Sequence, residues 1–490
     1  MKSENGCAQK KSIWNSLFWK GVERLSVQGI NLIVQVVLAR ILLPEDFGNL
    51  AIVVAVTNYM AIFVQTGFAT AIIQKKGIDD LDISTLCFTS LSIAATLYGV
   101  LFFLAPTIAN AYQKYELVWP LRAIGILLFL NSISSIQTAI YSRSMQFKKI
   151  FIRSIVAVPV SGIVGIFLAI RGFGLWALVV HNILNTLVIV IIMAFDKECW
   201  IKIQFSFDRL RRLFPFSFKI IMAGLVSGGG DFFRTIIIGK KYSSEDLAYY
   251  DKAYTYSSYL THIVGLTITS VMLPSLSREQ NDIVRLKQLA RKSISMSAFV
   301  MFPVLLGVAA VSDNLVYVLL TDKWSAAIPF LTVFCVLRMP SFISSIDRQV
   351  YYALGRSGVN LCYEMVLLVF NVASLVISIR FGVIYIAIGA TLVEWLGCVA
   401  ISIVSARIYK YSIKERFLDI CKPLLNSVIM FIVVTFISRI SRFGINIFLT
   451  LFIQISAGFV VYIVLVFLTR DRNIKEIYGI LNNKHRSTKE

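Results

Sequence analysis

Histidine is nearly missing from this chain, which has three in 490 residues, and its seven cysteines (Cys7, Cys87, Cys199, Cys335, Cys362, Cys398 and Cys421) stand far apart with no Cys-x-x-Cys among them. Neither a disulfide framework nor a metal site is indicated, and no cofactor is expected. The chain has no Gly-x-x-x-x-Gly-Lys-Ser/Thr loop, no His-Glu-x-x-His pair and no polar stretch large enough for a nucleotide domain, so ATP hydrolysis on this chain is not expected. Charge is scarce as well, at 15% of residues, against 57% hydrophobic residues. The mean hydropathy of +0.75 lies far outside the soluble range.

What is there is an integral membrane protein. Its acidic residues are outnumbered 27 to 48, a formal charge of +21. Nucleic acid is set aside as a partner, because basic residues spread over short loops between apolar spans are what membrane orientation requires. Hydropathy divides the chain into about fourteen helices, each needing roughly 20 apolar residues. They are expected near 14–38, 47–68, 82–105, 117–138, 151–170, 174–195, 213–238, 247–273, 294–320, 326–350, 359–379, 383–406, 421–440 and 446–468. The polar start, with Lys10 and Lys11, leads into an apolar run too long and too charged for a secretory signal. About 32 of the 48 Lys and Arg residues fall in the termini and alternate loops, and about 10 in the opposite loops. Both termini are therefore expected on the cytoplasmic side. The connections 196–214 and 278–292 read as amphipathic segments at the headgroup surface.

The first span carries Lys20, Glu23 and Arg24. On a helix, Lys20, Arg24, Gln28, Asn31 and Gln35 fall within an arc of roughly 80°. A span with one polar face should turn it toward water or protein and away from lipid.

An internal repeat links this region to the middle of the chain. Ala39-Arg40 followed by Glu45-Asp46-Phe47-Gly48 recurs as Gly239-Lys240 followed by Glu245-Asp246-Leu247-Ala248. Ile133-Ser134-Ser135-Ile136 recurs as Ile343-Ser344-Ser345-Ile346, and Phe173-Gly174-Leu175 as Phe381-Gly382-Val383. The expected fold class is an all-α polytopic membrane protein with two six-helix halves around a central cavity and two further helices. The expected divisions are 1–195, a cytoplasmic connection 196–212, a second half 213–410, and 411–490.

Among the basic residues inside the expected spans, six are singled out: Lys20, Arg24, Arg122, Arg234, Arg338 and Arg348. Exposing them all to lipid would cost on the order of 15–20 kcal/mol, so most should face inward or snorkel. Arg122 and Arg348 lie near span ends, where snorkelling is an alternative. The candidate cationic site is Lys20, Arg24, Arg234, Arg338 and Arg348. Its polar face is Gln28, Asn31, Gln35, Asn131, Ser341 and Ser345; helical spacing puts Arg338, Ser341, Ser345, Arg348 and Tyr352 on one face of the tenth span, and Asp251, Tyr254, Ser258 and His262 on one face of the eighth. Guanidinium groups bind phosphate or carboxylate oxygens in pairs, which suits an anionic cargo. The alternative is local pairing, of Asp231 with Arg234 and of Asp347 with Arg348. Asp231, Asp251, Glu364 and Glu394 are candidates for ion coupling, with His262 as a proton relay, and an interhelical hydrogen bond is the alternative for each.

The run Leu38-Ala-Arg-Ile-Leu-Leu-Pro-Glu-Asp-Phe-Gly48, preceded by the aromatic and basic stretch Trp14 to Arg24, resembles the opening signature of bacterial polysaccharide flippases of the Wzx type. Thr66-Gly-Phe-Ala-Thr-Ala-Ile-Ile-Gln74 is similar to the same family, in its colanic-acid-exporter-like branch. The resemblance implies membership of the superfamily that also holds multidrug exporters and lipid II flippases. It implies that undecaprenyl-pyrophosphate-linked oligosaccharides are moved from the cytoplasmic to the periplasmic leaflet of the bacterial inner membrane. Membrane lipids, H+ or Na+, and the polymerase and chain-length machinery would be partners, and the protein would not be an enzyme. A lipid II flippase and a multidrug exporter are the rivals on the same fold. The second would want acidic residues in its cavity. A glycosyltransferase or polymerase would show acidic catalytic residues or a long loop.

Overall fold

The computed structural model describes residues 26–75, 77–196, 200–280, 282–441, 446–470 and Asn473; side chains at 262–271, 273–275, 277–278, 357 and 438–441 lie outside that description. Among the described residues the regular structure is helical throughout. In chain order the helices are α1 (Ser26–Ile41), α2 (Pro44–Gln74), α3 (Asp80–Ala111), α4 (Val118–Gly125), α5 (Leu127–Arg143), α6 (Phe147–Ile170), α7 (Leu175–Ala194), α8 (Phe207–Lys241) and α9 (Ser244–Arg278). They continue as α10 (Ile283–Ala310), α11 (Ser312–Leu320), α12 (Ile328–Arg338), α13 (Ser341–Ala353), α14 (Ser357–Ser378), α15 (Val383–Ile408), α16 (Ile413–Ser441) and α17 (Ile447–Leu468).

Twelve segments among the described residues are long and apolar enough to cross a membrane. Twelve of the fourteen expected positions meet this standard among the described residues; α1, described from Ser26 onward, and α9 occupy the other two. Large apolar side chains such as Phe103, Ile163, Val369, Phe459 and Phe467 are well exposed. That surface needs lipid as its solvent, so the protein is a multi-pass membrane protein.

The chain forms two compact units, Met1–Asp251 and Lys252–Glu490. In the first, α2 packs along α8 and α5. Phe68, Ile72, Leu86, Ile136, Leu213 and Ile221 form its core. The span that the repeat assigns to the second half, α8, therefore packs here with the first. In the second unit α10 lies along α16, and α15 packs against α12 and α14.

The first repeat motif is a helix corner made twice in the same way. After α1, the Leu42 N–H donates to the Leu38 carbonyl at 2.9 Å, and Asp46 Oδ2 accepts from the Leu43 N–H at 3.2 Å. After α8, the Tyr242 N–H donates to Ile238 at 2.9 Å, and Asp46's repeat partner Asp246 accepts from the Ser243 N–H at 3.4 Å. An aspartate three residues into a helix caps the free N–H groups at its start, and Pro44 begins α2 where its missing N–H does no harm. The two corners touch: a Cβ on Gly48 would fall 1.7 Å from the Ser244 carbonyl oxygen, so only glycine lets these backbones approach.

Two spans expected as single helices are each broken at matching places. The segment Tyr115–Arg143 divides between α4 and α5 at Ile126, and Asp322–Ala353 divides between α12 and α13 at Met339-Pro340. Proline has no N–H to donate four residues back to the Val336 carbonyl. The Met339 N–H donates to that carbonyl at 3.2 Å and the Trp395 indole N–H adds a second bond at 3.2 Å, so the break leaves no orphan there. Both inner halves end in the same cap, with the residue after the helix end in a left-handed conformation: Met145 at φ 57° and Gly355 at φ 69°. The Gln146 N–H reaches back to Tyr141 at 2.9 Å, and the Arg356 N–H to Tyr351 at 2.8 Å.

Candidate functional site

The second unit brings together two of the polar faces expected from spacing. Arg338, the last residue of α12, stops beside the break, and its guanidinium carbon lies 4.4 Å from the ring centre of Tyr254 on α9. One of its terminal N–H groups donates to Ser258 Oγ at 2.6 Å, and Ser341 Oγ donates to the Arg338 carbonyl at 2.6 Å. Its Nε is buried without a hydrogen-bond partner. Among the described residues Arg338 is thus held by an aromatic face and a hydroxyl, with no carboxylate in an ion pair. A guanidinium kept this way in a low-dielectric setting retains its attraction for an anion.

One helix further along, Arg348 on α13 pairs with Glu364 on α14 at 3.3 Å, so a candidate cation and a candidate coupling carboxylate meet. Ser345 is partly buried on α13, and Glu394 is partly buried on α15. In the first unit the local pair forms: Arg234, with its side chain 11% exposed, holds Asp231 at 3.0 Å three residues back on α8. Gln28, Asn31 and Gln35 on α1, Asn131 on α5 and Asp251 on α9 are partly buried. Lys20 and Arg24 fall outside the described residues, as does the side chain of His262. Arg122 stacks over Phe102 at 4.0 Å near the end of its span.

Spacing missed the most deeply buried ion pair. Asp347 pairs with Arg416 on α16 and not with its neighbour Arg348; the two terminal N–H groups of Arg416 donate to the two carboxylate oxygens at 2.7 and 3.0 Å. The side chains are 0% and 4% exposed, and the Tyr409 hydroxyl also donates to Asp347. Burial, with the Asp347 charge beside it, holds the Tyr409 phenol well above its ordinary range. Beside this pair, Arg291 on α10 grips Asp419 through two contacts of 2.8 Å, and Lys287 meets Glu415 at 2.8 Å. Arg153 on α6 is a second missed cation, buried against Met193 and donating to Thr138 Oγ1 at 3.0 Å. Neither residue has a periodic signal: Arg416 stands at a helix start that hydropathy assigns to a loop, and Arg153, inside the expected span 151–170, is followed at helical spacing by Val156, Ala157 and Val160. Among the described residues no group of His, Cys, Asp or Glu converges on a metal site.

Residues 37–329 match the family model described as polysaccharide biosynthesis protein. The chain belongs to that family. It is 23% identical to the succinoglycan biosynthesis transport protein ExoT of Rhizobium meliloti (strain 1021), over 95% of each chain. It is 23% identical to the teichuronic acid biosynthesis protein TuaB of Bacillus subtilis (strain 168), over 93% of this chain and 95% of that one. The lipopolysaccharide biosynthesis protein WzxC of Escherichia coli (strain K12) is 21% identical over 77% of each. Among solved structures, the lipid II flippase MurJ in an inward closed conformation matches with a TM-score of 0.76 at 16% identity, covering 92% of this chain and 99% of its own. An inward-facing multidrug transporter of the MATE family matches at 0.61 and 14% identity, covering 79% and 98%. The polysaccharide family member therefore has the fold seen in MurJ and in the MATE transporter.

Proposed function

We propose that this family member is a flippase that carries undecaprenyl-pyrophosphate-linked oligosaccharide units from the cytoplasmic to the periplasmic leaflet of a bacterial inner membrane. Both of its termini are then cytoplasmic, and its products feed the polymerase and chain-length machinery of a surface polysaccharide. The observation that carries this reading is Arg338, a guanidinium within a span held by Tyr254 and Ser258 and by no carboxylate among the described residues. The pyrophosphate supplies the missing negative charge, while the polyprenyl tail stays in lipid. Lys20 and Arg24 are further candidate cations for the same cargo. The names of the relatives, all of polysaccharide biosynthesis or transport, support a saccharide cargo.

The cycle is alternating access driven by a gradient of H+ or Na+. The Arg348–Glu364 pair gives it a switch: when Glu364 takes a proton, Arg348 is released to the anion, and when the cargo leaves, the pair forms again. Asp231, Asp251, Glu394 and His262 are the further coupling candidates. An exporter of cationic drugs would find Arg338 repulsive, and a lipid II cargo differs only in its saccharide and peptide.

Deleting the gene and analysing lipid-linked oligosaccharides by mass spectrometry tests the reading. Complete undecaprenyl-linked repeat units accumulate and surface polymer is lost. Unchanged glycolipids with new sensitivity to cationic drugs would overturn the proposal, and accumulated lipid II would replace the cargo. The Arg24→Ala/Arg338→Ala double variant inserts at normal levels yet fails to restore export; polymer synthesis in that strain would sink the cationic site.

A further inference from the structure

The first unit contains a cavity of about 390 Å³ that none of the cationic candidates lines, at the helix ends where α1 turns into α2, α3 into α4 and α8 into α9. Its walls include Glu45, Tyr112, Gln113, Lys114, Tyr242 and Glu245. This volume is in the range of small-molecule sites. On the topology proposed above, the cavity opens on the periplasmic side.

The walls are of two kinds. One is fixed: the Tyr112 hydroxyl donates to the Ile236 carbonyl at 3.1 Å, and Lys114 pairs with Glu45 and donates to Asn49 Oδ1 at 3.1 Å. Asn49 is itself buried and accepts from Ser244 Oγ at 2.8 Å. The other is open: the side chains of Gln113, Lys240 and Glu245 line the cavity, are exposed to solvent, and among the described residues make no hydrogen bond to protein. Its two ammonium groups, Lys114 and Lys240, are matched by two carboxylates, Glu45 and Glu245. A cavity of balanced charge offering an amide, a carboxylate, an ammonium group and two phenol rings suits a neutral ligand rich in hydroxyls, each of which both donates and accepts.

Gln113 is set in the cavity wall by a backbone feature it shares with Met145. It occupies the left-handed position after α3, at φ 56°. Its N–H donates to Asn110 and the next N–H to Ala109, both at 3.0 Å, which makes the helix cap that glycine fills without steric penalty. Glutamine there is a local misfit that places an amide in the cavity wall.

We propose that this cavity is a saccharide subsite, engaging neutral sugar hydroxyls of the cargo on the release side, apart from the cations that receive its phosphates. The identity of the ligand rests on the flippase reading; the cavity does not.

The test uses the full-length protein in nanodiscs and saturation-transfer-difference NMR with neutral glucose- and galactose-containing disaccharides, against inorganic phosphate and phosphoethanolamine. The neutral disaccharides give signal, and Gln113→Gly and Glu245→Gln each weaken binding about tenfold. Gln113→Gly also leaves Tm unchanged or raises it, because it relieves the cap, so lost binding cannot be lost folding. No signal from any neutral disaccharide, signal undiminished in both variants, or preferential binding of phosphoethanolamine would each overturn the proposal, the last by making the cavity a lipid-headgroup site. Arg338→Ala keeps the saccharide signal. If gene deletion leaves glycolipids unchanged while the variant-sensitive signal persists, the flippase reading fails alone. If glycolipids accumulate on deletion while the two cavity variants bind and export normally, the subsite fails alone.

Discussion

The two broken spans have the same architecture and different chemistry. Each interrupts near its middle, each carries Ile-Ser-Ser-Ile in its inner half, and each ends in the same left-handed cap. Yet the face of the first is neutral, with Asn131, Ser134 and Thr138, while the second carries Arg338 and Arg348. At the position of Gln137 in the first, the second has Asp347. The repeat supplies a backbone frame twice, and one copy has been charged. Intramembrane charge is expensive, so a frame duplicated in sequence need not be duplicated in its ions.

The largest test of that asymmetry lies at Asp347. Asp347→Ala leaves Arg416 buried and unpaired, which destabilises the second unit by about 3–5 kcal/mol, whereas Gln137→Ala in the first has a much smaller effect. Adding Arg416→Leu to Asp347→Ala recovers most of the loss. Chemical unfolding in mixed micelles measures all four proteins, and equal losses at 137 and 347 would erase the distinction drawn here.

A second comparison is between the helix corners. Gly48→Ala forces the α2 start away from Ser244 and destabilises the first unit by about 1–3 kcal/mol, although its repeat partner is already alanine, Ala248. A Gly48→Ala protein with unchanged thermal unfolding would mean that the corners part at no cost. The smallest effect is at the caps. Met145→Gly stabilises by about 1 kcal/mol and Gly355→Ala destabilises by about the same, since only the side chain at positive φ differs between them. Opposite shifts of a few degrees in Tm check this pair.

Most helix positions were legible because a bilayer imposes one length and one polarity on every span. The expected 174–195 and 383–406 correspond to Leu175–Ala194 and Val383–Ile408. The two connections expected as amphipathic surface segments are partly helical: α8 begins at Phe207 and α10 at Ile283, before the apolar stretches start. The breaks were missed because hydropathy averages across them. Pro340 stands at one of them, where the Val336 carbonyl takes the Met339 N–H and, from another helix, the Trp395 indole.

The site was legible only by halves. Helical spacing placed Tyr254 with Ser258 and Arg338 with Ser341 on their own faces; that Arg338 meets Ser258 required α9 and α12 to pack. Arg348 and Glu364 appeared as separate candidates for cargo and coupling, and packing made them one pair.

The sequence by itself determined that this is a helical membrane protein with an internal repeat and with basic residues inside its apolar stretches, because span length, polarity and charge asymmetry are local properties read along one chain. The tertiary structure alone decided which of those cations is neutralised. Asp347 reaches Arg416 across 69 residues, Arg234 is answered by Asp231 within its own helix, and Arg338 is left with an aromatic ring and a hydroxyl. A charge's partner depends on which helices pack together, and no periodicity within a single helix encodes that.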